Sequence, residues 1–133
     1  MTPLTLTFPM PPNLANARMH WRVKHKEKAD YWQRLDNLQL QGEIPPPPQV
    51  RWHVVSISTV MYLARRMDLD NAMARHKWVL DWLVTRGYIK DDRGAFLQWE
   101  RFPEQITKGS KPYRIVVTLT HSVPKKYSPL PIP

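Results

Sequence analysis

The prolines of this chain determine where regular secondary structure can form. Its 133 residues include 14 prolines, and each proline fixes its own φ angle and has no backbone N–H to donate. Pro9 follows an alternating segment at 4–8, and residues 11–13, Pro-Pro-Asn, predict a loop after it. The four-proline run at 45–48 predicts an extended connector, with a recognition segment as the alternative. Helices and strands are therefore expected between these positions.

Apolar periodicity predicts six elements in the stretches that the prolines leave. Alternation at period 2 and β-branched residues predict strands, whereas Tyr31, Leu35 and Leu38 recur at the spacing of one helix face. The alternation slips at Val54-Val55, which indicates a bulge or burial on both faces. The predicted elements are strands at 4–8, 50–60, 96–102 and 113–120 and helices at 23–41 and 71–86.

The order of these elements, β-α-β-α-β-β, predicts an α/β (α+β) fold in a single domain. We expect a mixed four-stranded sheet that is covered by the two helices. Gly87 is expected to end the second helix, and residues 107–110 are expected to join the last two strands as a hairpin. The expected domain spans residues 1–121, because the proline-rich segment 122–133 is expected to be a disordered tail.

The composition excludes several classes of protein. The chain has no cysteine, which rules out disulfide frameworks, thiolate zinc sites, iron–sulfur clusters and thiol nucleophiles. We expect a cytoplasmic protein, since the lack of disulfides fits a reducing compartment and residues 1–12 do not resemble a signal peptide. No apolar run approaches the roughly 18 residues of a membrane span, so no membrane partner is expected. The net charge of +9 favours an acidic polymer as the partner.

The acidic residues cluster within this basic chain. Five of the 11 Asp and Glu residues lie between positions 68 and 92. If the chain is extended at Asp68 and Asp70, both carboxylates point to one side. Asp70, Lys77 and Asp81 fall on one face of the predicted helix, and Asp91-Asp92 are expected to fold back onto that face. The spacing therefore predicts an acidic site with a lysine beside it.

Crowded carboxylates require a positive counter-charge. A hard divalent ion supplies it, and Mg²⁺ binds through one or two carboxylates, waters and substrate phosphate oxygens. Lys77 is spaced to hold a phosphate or a developing negative charge. The pattern therefore favours metal-assisted hydrolysis of a phosphodiester. The structural alternatives are that Asp70 is an N-cap, that Asp81 pairs with Arg75 or Lys77, and that Asp91-Asp92 form a solvated turn.

One spaced motif links these residues. It consists of Asp68-x-Asp70-Asn71, Lys77, Asp81, Gly87 and Asp91-Asp92. The motif resembles the core of the RusA-like Holliday-junction resolvases, a family that is common in phages and prophages. The similarity covers about residues 4 to 120, because the Pro-Pro-Asn at 11–13 and the Thr-Lys-Gly at 107–109 are similar to that family's opening and end. Ala72 departs from the larger aliphatic residue that is common at its position.

The resemblance implies a homodimeric endodeoxyribonuclease of a bacterial cell that makes paired nicks in four-way DNA junctions. It implies Mg²⁺ as the cofactor, with Mn²⁺ as the alternative ion. Asp68, Asp70 and Asp92 would be the catalytic carboxylates that bind the metal, and Lys77 would be the catalytic lysine. The position of Lys77 depends on the phase of the predicted helix. Secondary roles are implied for Asp91 and Asp81.

Basic residues elsewhere in the chain are candidates for contacts with DNA phosphates. These candidates are Arg18, Arg22, Lys24, Arg65, Arg66, Lys108 and Lys111. Lys26 and Lys28 fit a solvated helix face equally well. Trp78 and Trp82 are expected to pack, with base stacking as the alternative, and His76 is expected on a helix surface or at a boundary.

Two other functions fit parts of the same pattern. The first is a module that binds junction or duplex DNA without nuclease activity. The second is a metal-dependent hydrolase of small phosphorylated molecules, which the charge of +9 disfavours. Junction nicking that requires Mg²⁺ distinguishes the nuclease from the binding module, and a strong salt dependence of DNA binding distinguishes both from the small-molecule enzyme.

Overall fold

A computed structural model of the chain describes residues 3–12, 21–49 and 54–121. The predicted tail at 122–133 and the candidate Arg18 lie outside these residues, as do the first positions of the strand predicted at 50–60. The helices are α1 (Trp21–Leu40), α2 (Leu69–Arg75) and α3 (Lys77–Thr85). The strands are β1 (Leu4–Pro9), β2 (Val55–Tyr62), β3 (Leu97–Trp99), β4 (Glu104–Ile106) and β5 (Arg114–His121).

All five strands form one mixed sheet, which confirms the predicted fold class. β5 lies between β1 and β2 and is antiparallel to both. The other edge of β2 pairs in parallel with β3 at Val55↔Leu97 and with β4 at Val60↔Glu104. The segment predicted as one strand at 96–102 is therefore a three-residue strand, and β4 adds a fifth strand to the four that were predicted.

The prediction of a hairpin through residues 107–110 is wrong. A hairpin would require β4 and β5 to be neighbours, but both edges of β5 are already paired, with β1 and β2. The connection instead crosses the end of β2, where the Leu63 N–H donates to the Ile106 carbonyl at 3.1 Å. Gly109, with φ +59°, makes the turn within this connection. The connection therefore brings residues 107–113 next to the chain that leaves β2.

The core lies between one face of the sheet and the helices. Alternate residues of β2 and β5 are buried, as period 2 predicts. Tyr31 and Leu35 of α1 are buried, as the helical spacing predicts, and Leu38 is half-buried against the same cluster. Trp82 of α3 meets Phe8 of β1 edge to face, with ring centroids 5.8 Å apart. Trp78 and Trp82 therefore pack in the interior, as expected.

The helix predicted at 71–86 is interrupted at His76. α2 ends at Arg75 and α3 begins at Lys77, with His76 as a single turn residue between them. The His76 side chain is fully buried, and its Nε2 lies 2.9 Å from the Thr59 hydroxyl of β2. The expectation that His76 lies on a helix surface or at a boundary is therefore wrong, because the residue is in the interior. None of the described helices combines the length and apolar character that crossing a membrane requires.

Candidate acidic site and its basic surround

Asp68 is positioned by the start of α2. Its backbone is extended, and its carboxylate accepts hydrogen bonds from the backbone N–H of Asn71 at 2.8 Å and from the Asn71 side-chain amide at 3.3 Å. Asp68 is therefore the N-cap of α2, a role that the sequence had suggested for Asp70. The side chain remains exposed to solvent.

Asp70 lies in the first turn of α2 and is exposed. Because the helix begins at Leu69, the strand alternation that would have turned Asp68 and Asp70 to one side does not apply. Asp68 itself keeps an extended backbone, and the chain enters the helix at Leu69. The condition for convergence by strand alternation, an extended chain from Asp68 to Asp70, is therefore not met.

The helix that was predicted to align Asp70 with Lys77 and Asp81 is interrupted at His76, which keeps an αR backbone. Lys77 is the first residue of α3 and is exposed. Asp81 pairs with Lys28 of α1, with 3.3 Å between Lys28 Nζ and Asp81 Oδ2. The structural alternative, in which Asp81 pairs with Arg75 or Lys77, is therefore wrong, because the carboxylate pairs with a lysine of α1.

Asp91 and Asp92 follow α3 in a turn that Gly87 begins with φ +88°, as a helix-ending glycine does. Asp91 accepts a hydrogen bond from Arg93 Nε at 2.8 Å. Asp92 is exposed. This is the turn that the structural alternative had described.

The acids are not gathered into one ligand set. In the described ranges 3–12, 21–49 and 54–121, no group of three or more His, Asp or Glu side chains is arranged to hold a metal ion. Asp68, Asp70 and Asp92 therefore do not form such a group. Asp68 and Asp70 by themselves offer exposed carboxylate oxygens, and two carboxylates with waters and phosphate oxygens are a donor set that suits Mg²⁺. The divalent ion stays a prediction.

The segment that leads into Asp68 is held by β4. The Met67 N–H donates to Gln105 Oε1 at 2.8 Å, and Gln105 Nε2 donates to the Met67 carbonyl at 3.0 Å. This pair of hydrogen bonds fixes the backbone one residue before the first carboxylate. The sequence contains no signal for it, because Met67 and Gln105 meet only through the parallel pairing of β4 with β2.

Arg75 is the cationic residue that the sequence reasoning missed. Its Nε donates to the Pro11 carbonyl at 2.8 Å, which ties the end of α2 to the loop after β1. Burial lowers the pKa of its guanidinium from the ordinary value, but an arginine remains charged at neutral pH. The sequence signal that could have identified Arg75 as a residue of this site was its position two residues before Lys77.

Basic side chains line a series of adjoining depressions, one of which includes Met67, the residue before Asp68. One of about 420 Å³ contains Arg65, Arg66 and Arg75. It shares Arg75 with a depression of about 220 Å³ that contains Lys24 and Lys77. We call the whole series the basic groove. Its cationic residues, including those of the two end depressions, are Lys24, Lys28, Arg65, Arg66, Arg75, Lys77 and Lys111.

The groove ends at the loop 107–111 on one side and at α1 on the other. Ala64 and Tyr113 form a common wall between the Arg65 depression and one of about 430 Å³ that contains Lys111. Lys24 and Trp78 are shared with a depression at the first turns of α1. Four of the predicted DNA-contact residues, Lys24, Arg65, Arg66 and Lys111, therefore line one surface, whereas Lys108 and Arg22 are exposed beside its ends.

Comparison with models of known protein families gives no match for this chain, and comparison with curated proteins gives none either. The roles of these residues therefore depend on the geometry of the chain itself.

Proposed function

We propose that the protein is a metal-dependent endodeoxyribonuclease that resolves four-way DNA junctions by paired phosphodiester hydrolysis. The observation that carries the proposal is a pair of exposed carboxylates, Asp68 and Asp70, that directly follow the segment 65–67 lining a groove of arginines and lysines. A basic groove attracts the DNA backbone, and carboxylates at its side can hold the ion that phosphodiester hydrolysis uses. The spacing of the acidic motif, which resembles that of the RusA-like resolvases, supports the same reaction.

Each residue of the site has a proposed role in the reaction. Asp68 and Asp70 would hold Mg²⁺ or Mn²⁺, and a bound ion supplies Lewis-acid activation and neutralises charge on the phosphate. Arg65, Arg66 and Lys77 hold phosphate oxygens by charge and hydrogen bonding. Asp92 is proposed as a further carboxylate from the turn after α3. A homodimer in the bacterial cytoplasm would place two such sites around a two-fold axis, as paired nicks require.

Asp70→Asn tests the proposal, because it removes one charge at an exposed position that makes no capping contact. We expect Mg²⁺-dependent nicking of a synthetic four-way junction to fall about 100-fold, while junction binding in EDTA is unchanged or tighter. Glu43→Gln is the matched control, since it makes the same charge change at an exposed turn after α1, and both activities should be retained. Cutting at the normal rate by Asp70→Asn would contradict the proposal.

A DNA-binding module without nuclease activity is the second candidate. It is favoured by the structural partners of three acids: Asp68 caps α2, Asp81 pairs with Lys28, and Asp91 pairs with Arg93. Acids with such partners need no metal to explain them. Tight junction binding in EDTA together with no nicking in Mg²⁺ or Mn²⁺ would support this function over the nuclease.

A further inference from the structure

We propose that one end of the basic groove binds an unpaired nucleotide of DNA, with its base stacked on Trp21. The site is a depression of about 240 Å³ between α1 and α3, which we call the tryptophan pocket; its walls are Trp21, Lys24, His25, Lys28 and Trp78. The inference depends on DNA being the partner, as proposed above, but it does not depend on cleavage.

The pocket is built from one face of α1. Trp21, Lys24, His25 and Lys28 recur at the 3- and 4-residue spacing that aligns side chains on a helix. The Trp21 and His25 rings meet edge to face, with centroids 5.8 Å apart. The side chain of Trp78, which is only 6% exposed, closes the pocket from α3.

Trp21 is the side chain that calls for an explanation. It is 61% exposed, and the residues with which α1 contributes to the core are found farther along the helix, at Tyr31 and Leu35. The ring is therefore not part of the core, and its described partners, Arg22 with its guanidinium 5.5 Å from the ring centroid and His25, belong to the same turn of α1. Aromatic side chains beside cations are the usual platform for the bases of single-stranded nucleic acid, because every base has a π-face.

We expect the cations around the pocket to contact the phosphate backbone of the DNA rather than the base. Lys24 is shared with the neighbouring depression that contains Arg75 and Lys77, so positive charge continues from the pocket along the groove. Lys28 is held by Asp81 at 3.3 Å and lies 4.8 Å from the centre of the Trp32 ring. Its charge is thus partly neutralised, which leaves Lys24 as the main cation for a phosphate.

The volume of the pocket is larger than a simple anion fills. At roughly 30 Å³ for each water in the liquid, its 240 Å³ correspond to several waters. The bases of a duplex hide their faces in the stack, so only an unpaired base can use Trp21. We therefore expect branched DNA with unpaired nucleotides beside the branch to bind more tightly than a fully paired junction.

The test compares single-stranded and double-stranded DNA. Fluorescence anisotropy in EDTA measures the affinity of the full chain for labelled oligo(dT) and for a duplex of the same length. We expect Trp21→Ala to weaken oligo(dT) binding about tenfold and duplex binding less than about twofold. Trp21→Phe, which keeps a ring, should recover most of the loss.

Leu40→Ala is the matched control, because Leu40 is an apolar residue of the same helix that is 86% exposed at its other end. It should change neither affinity. Thermal unfolding of Trp21→Ala should match that of the unmodified chain, since the ring adds little to the core. Lys24→Gln should weaken oligo(dT) binding and reduce its dependence on salt.

Several outcomes would overturn the proposal. They are an unchanged oligo(dT) affinity in Trp21→Ala, an equal loss on duplex and single strand, and displacement of oligo(dT) by an oligoglutamate of equal charge. If the unmodified chain binds and nicks paired junctions but Trp21→Ala leaves the oligo(dT) affinity unchanged, the pocket is rejected and the proposed function stands. Failure to bind any DNA would reject both.

Discussion

At the scale of single residues, His76 is a titratable side chain enclosed by protein. Its Nδ1 lies 2.7 Å from the Ala72 carbonyl, and its Nε2 lies 2.9 Å from the Thr59 hydroxyl. Because a carbonyl oxygen only accepts, Nδ1 carries the proton, and neutral Nε2 accepts from Thr59. The Trp99 ring meets the imidazole edge to face at 5.5 Å. Protonation would place a second N–H in this closed space.

This arrangement makes stability depend on pH. Burial lowers the pKa of His76 below its ordinary 6.5, so the unfolded chain binds a proton at a pH where the folded chain does not. The contribution is complete above pH 6.5 and is lost as pH falls from there towards the lower folded pKa, with a slope of at most about 1.4 kcal/mol per pH unit. Urea unfolding between pH 7.5 and 5 measures it.

His76→Gln should flatten this slope, whereas His25→Gln, at an exposed position on α1, should retain it. The Gln variant is also expected to be less stable at pH 7.5, because it does not reproduce both hydrogen bonds of the ring. The same slope in His76→Gln as in the unmodified chain would show that another group is responsible.

At the scale of elements, α1 is fastened to α3 by the carboxylate of Asp36. Its Oδ1 accepts from Trp82 Nε1 and Arg86 Nε, both at 2.9 Å, and its Oδ2 accepts from Arg86 Nη2 at 2.8 Å. The hydrogen bonds from Arg86 lower the pKa of the carboxyl below its ordinary 3.8. The stability that the ionised Asp36 carboxylate contributes is present above pH 3.8 and is lost as pH falls through the folded pKa.

Asp36→Ala should destabilise the fold by about 2 kcal/mol, because it leaves the Trp82 N–H and the Arg86 guanidinium without their acceptor. Asp30→Ala removes an exposed carboxylate from the same helix and should cost less than about 0.5 kcal/mol. Urea unfolding at neutral pH compares the two. A loss for Asp36→Ala as small as that for Asp30→Ala would mean that the contact adds no net stability.

The elements that sequence patterns predict well are those whose pattern is local. The alternation at 4–8 and 113–120 and the apolar face of α1 identify β1, β5 and α1 within a few residues, because burial on one face is written into neighbouring positions. The parallel pairing of β3 and β4 with β2 was not predictable in this way. It depends on chain segments more than 35 residues apart in sequence, and the expected hairpin was wrong for that reason.

The candidate site also combines residues that a local sequence pattern identifies with contacts between distant segments that it does not. The motif identifies which acids and which lysine stand together in sequence, but it does not show the turn at His76, whose ring contacts Thr59 of β2, 17 positions away. Arg75 and Gln105 acquire their roles from contacts with Pro11 and Met67, both distant in sequence. Periodicity assumes an unbroken element, so it could not foresee the interruption between Asp70 and Lys77.

At the scale of the whole molecule, the charge of +9 acts through the shape of the surface. The groove joins cations from α1, the loop after β2, the end of α2, the start of α3 and the loop before β5. DNA that lies along the groove would release the counterions of each phosphate that these side chains replace. Binding should therefore weaken linearly with the logarithm of salt concentration, by about 0.9 in slope for each phosphate contacted on a duplex.

This expectation can be tested one cation at a time. Arg66→Gln removes an exposed groove residue and should reduce the slope of log K against log salt on a four-way junction by about 0.9. Arg101→Gln removes the same charge at an exposed position between β3 and β4 that does not line the groove, so it should leave the slope nearly unchanged. Anisotropy titrations in EDTA at several salt concentrations give both slopes. An equal change of slope in the two variants would mean that net charge alone attracts DNA. The expected difference would show that the DNA lies along the side of the protein that carries Asp68 and Asp70.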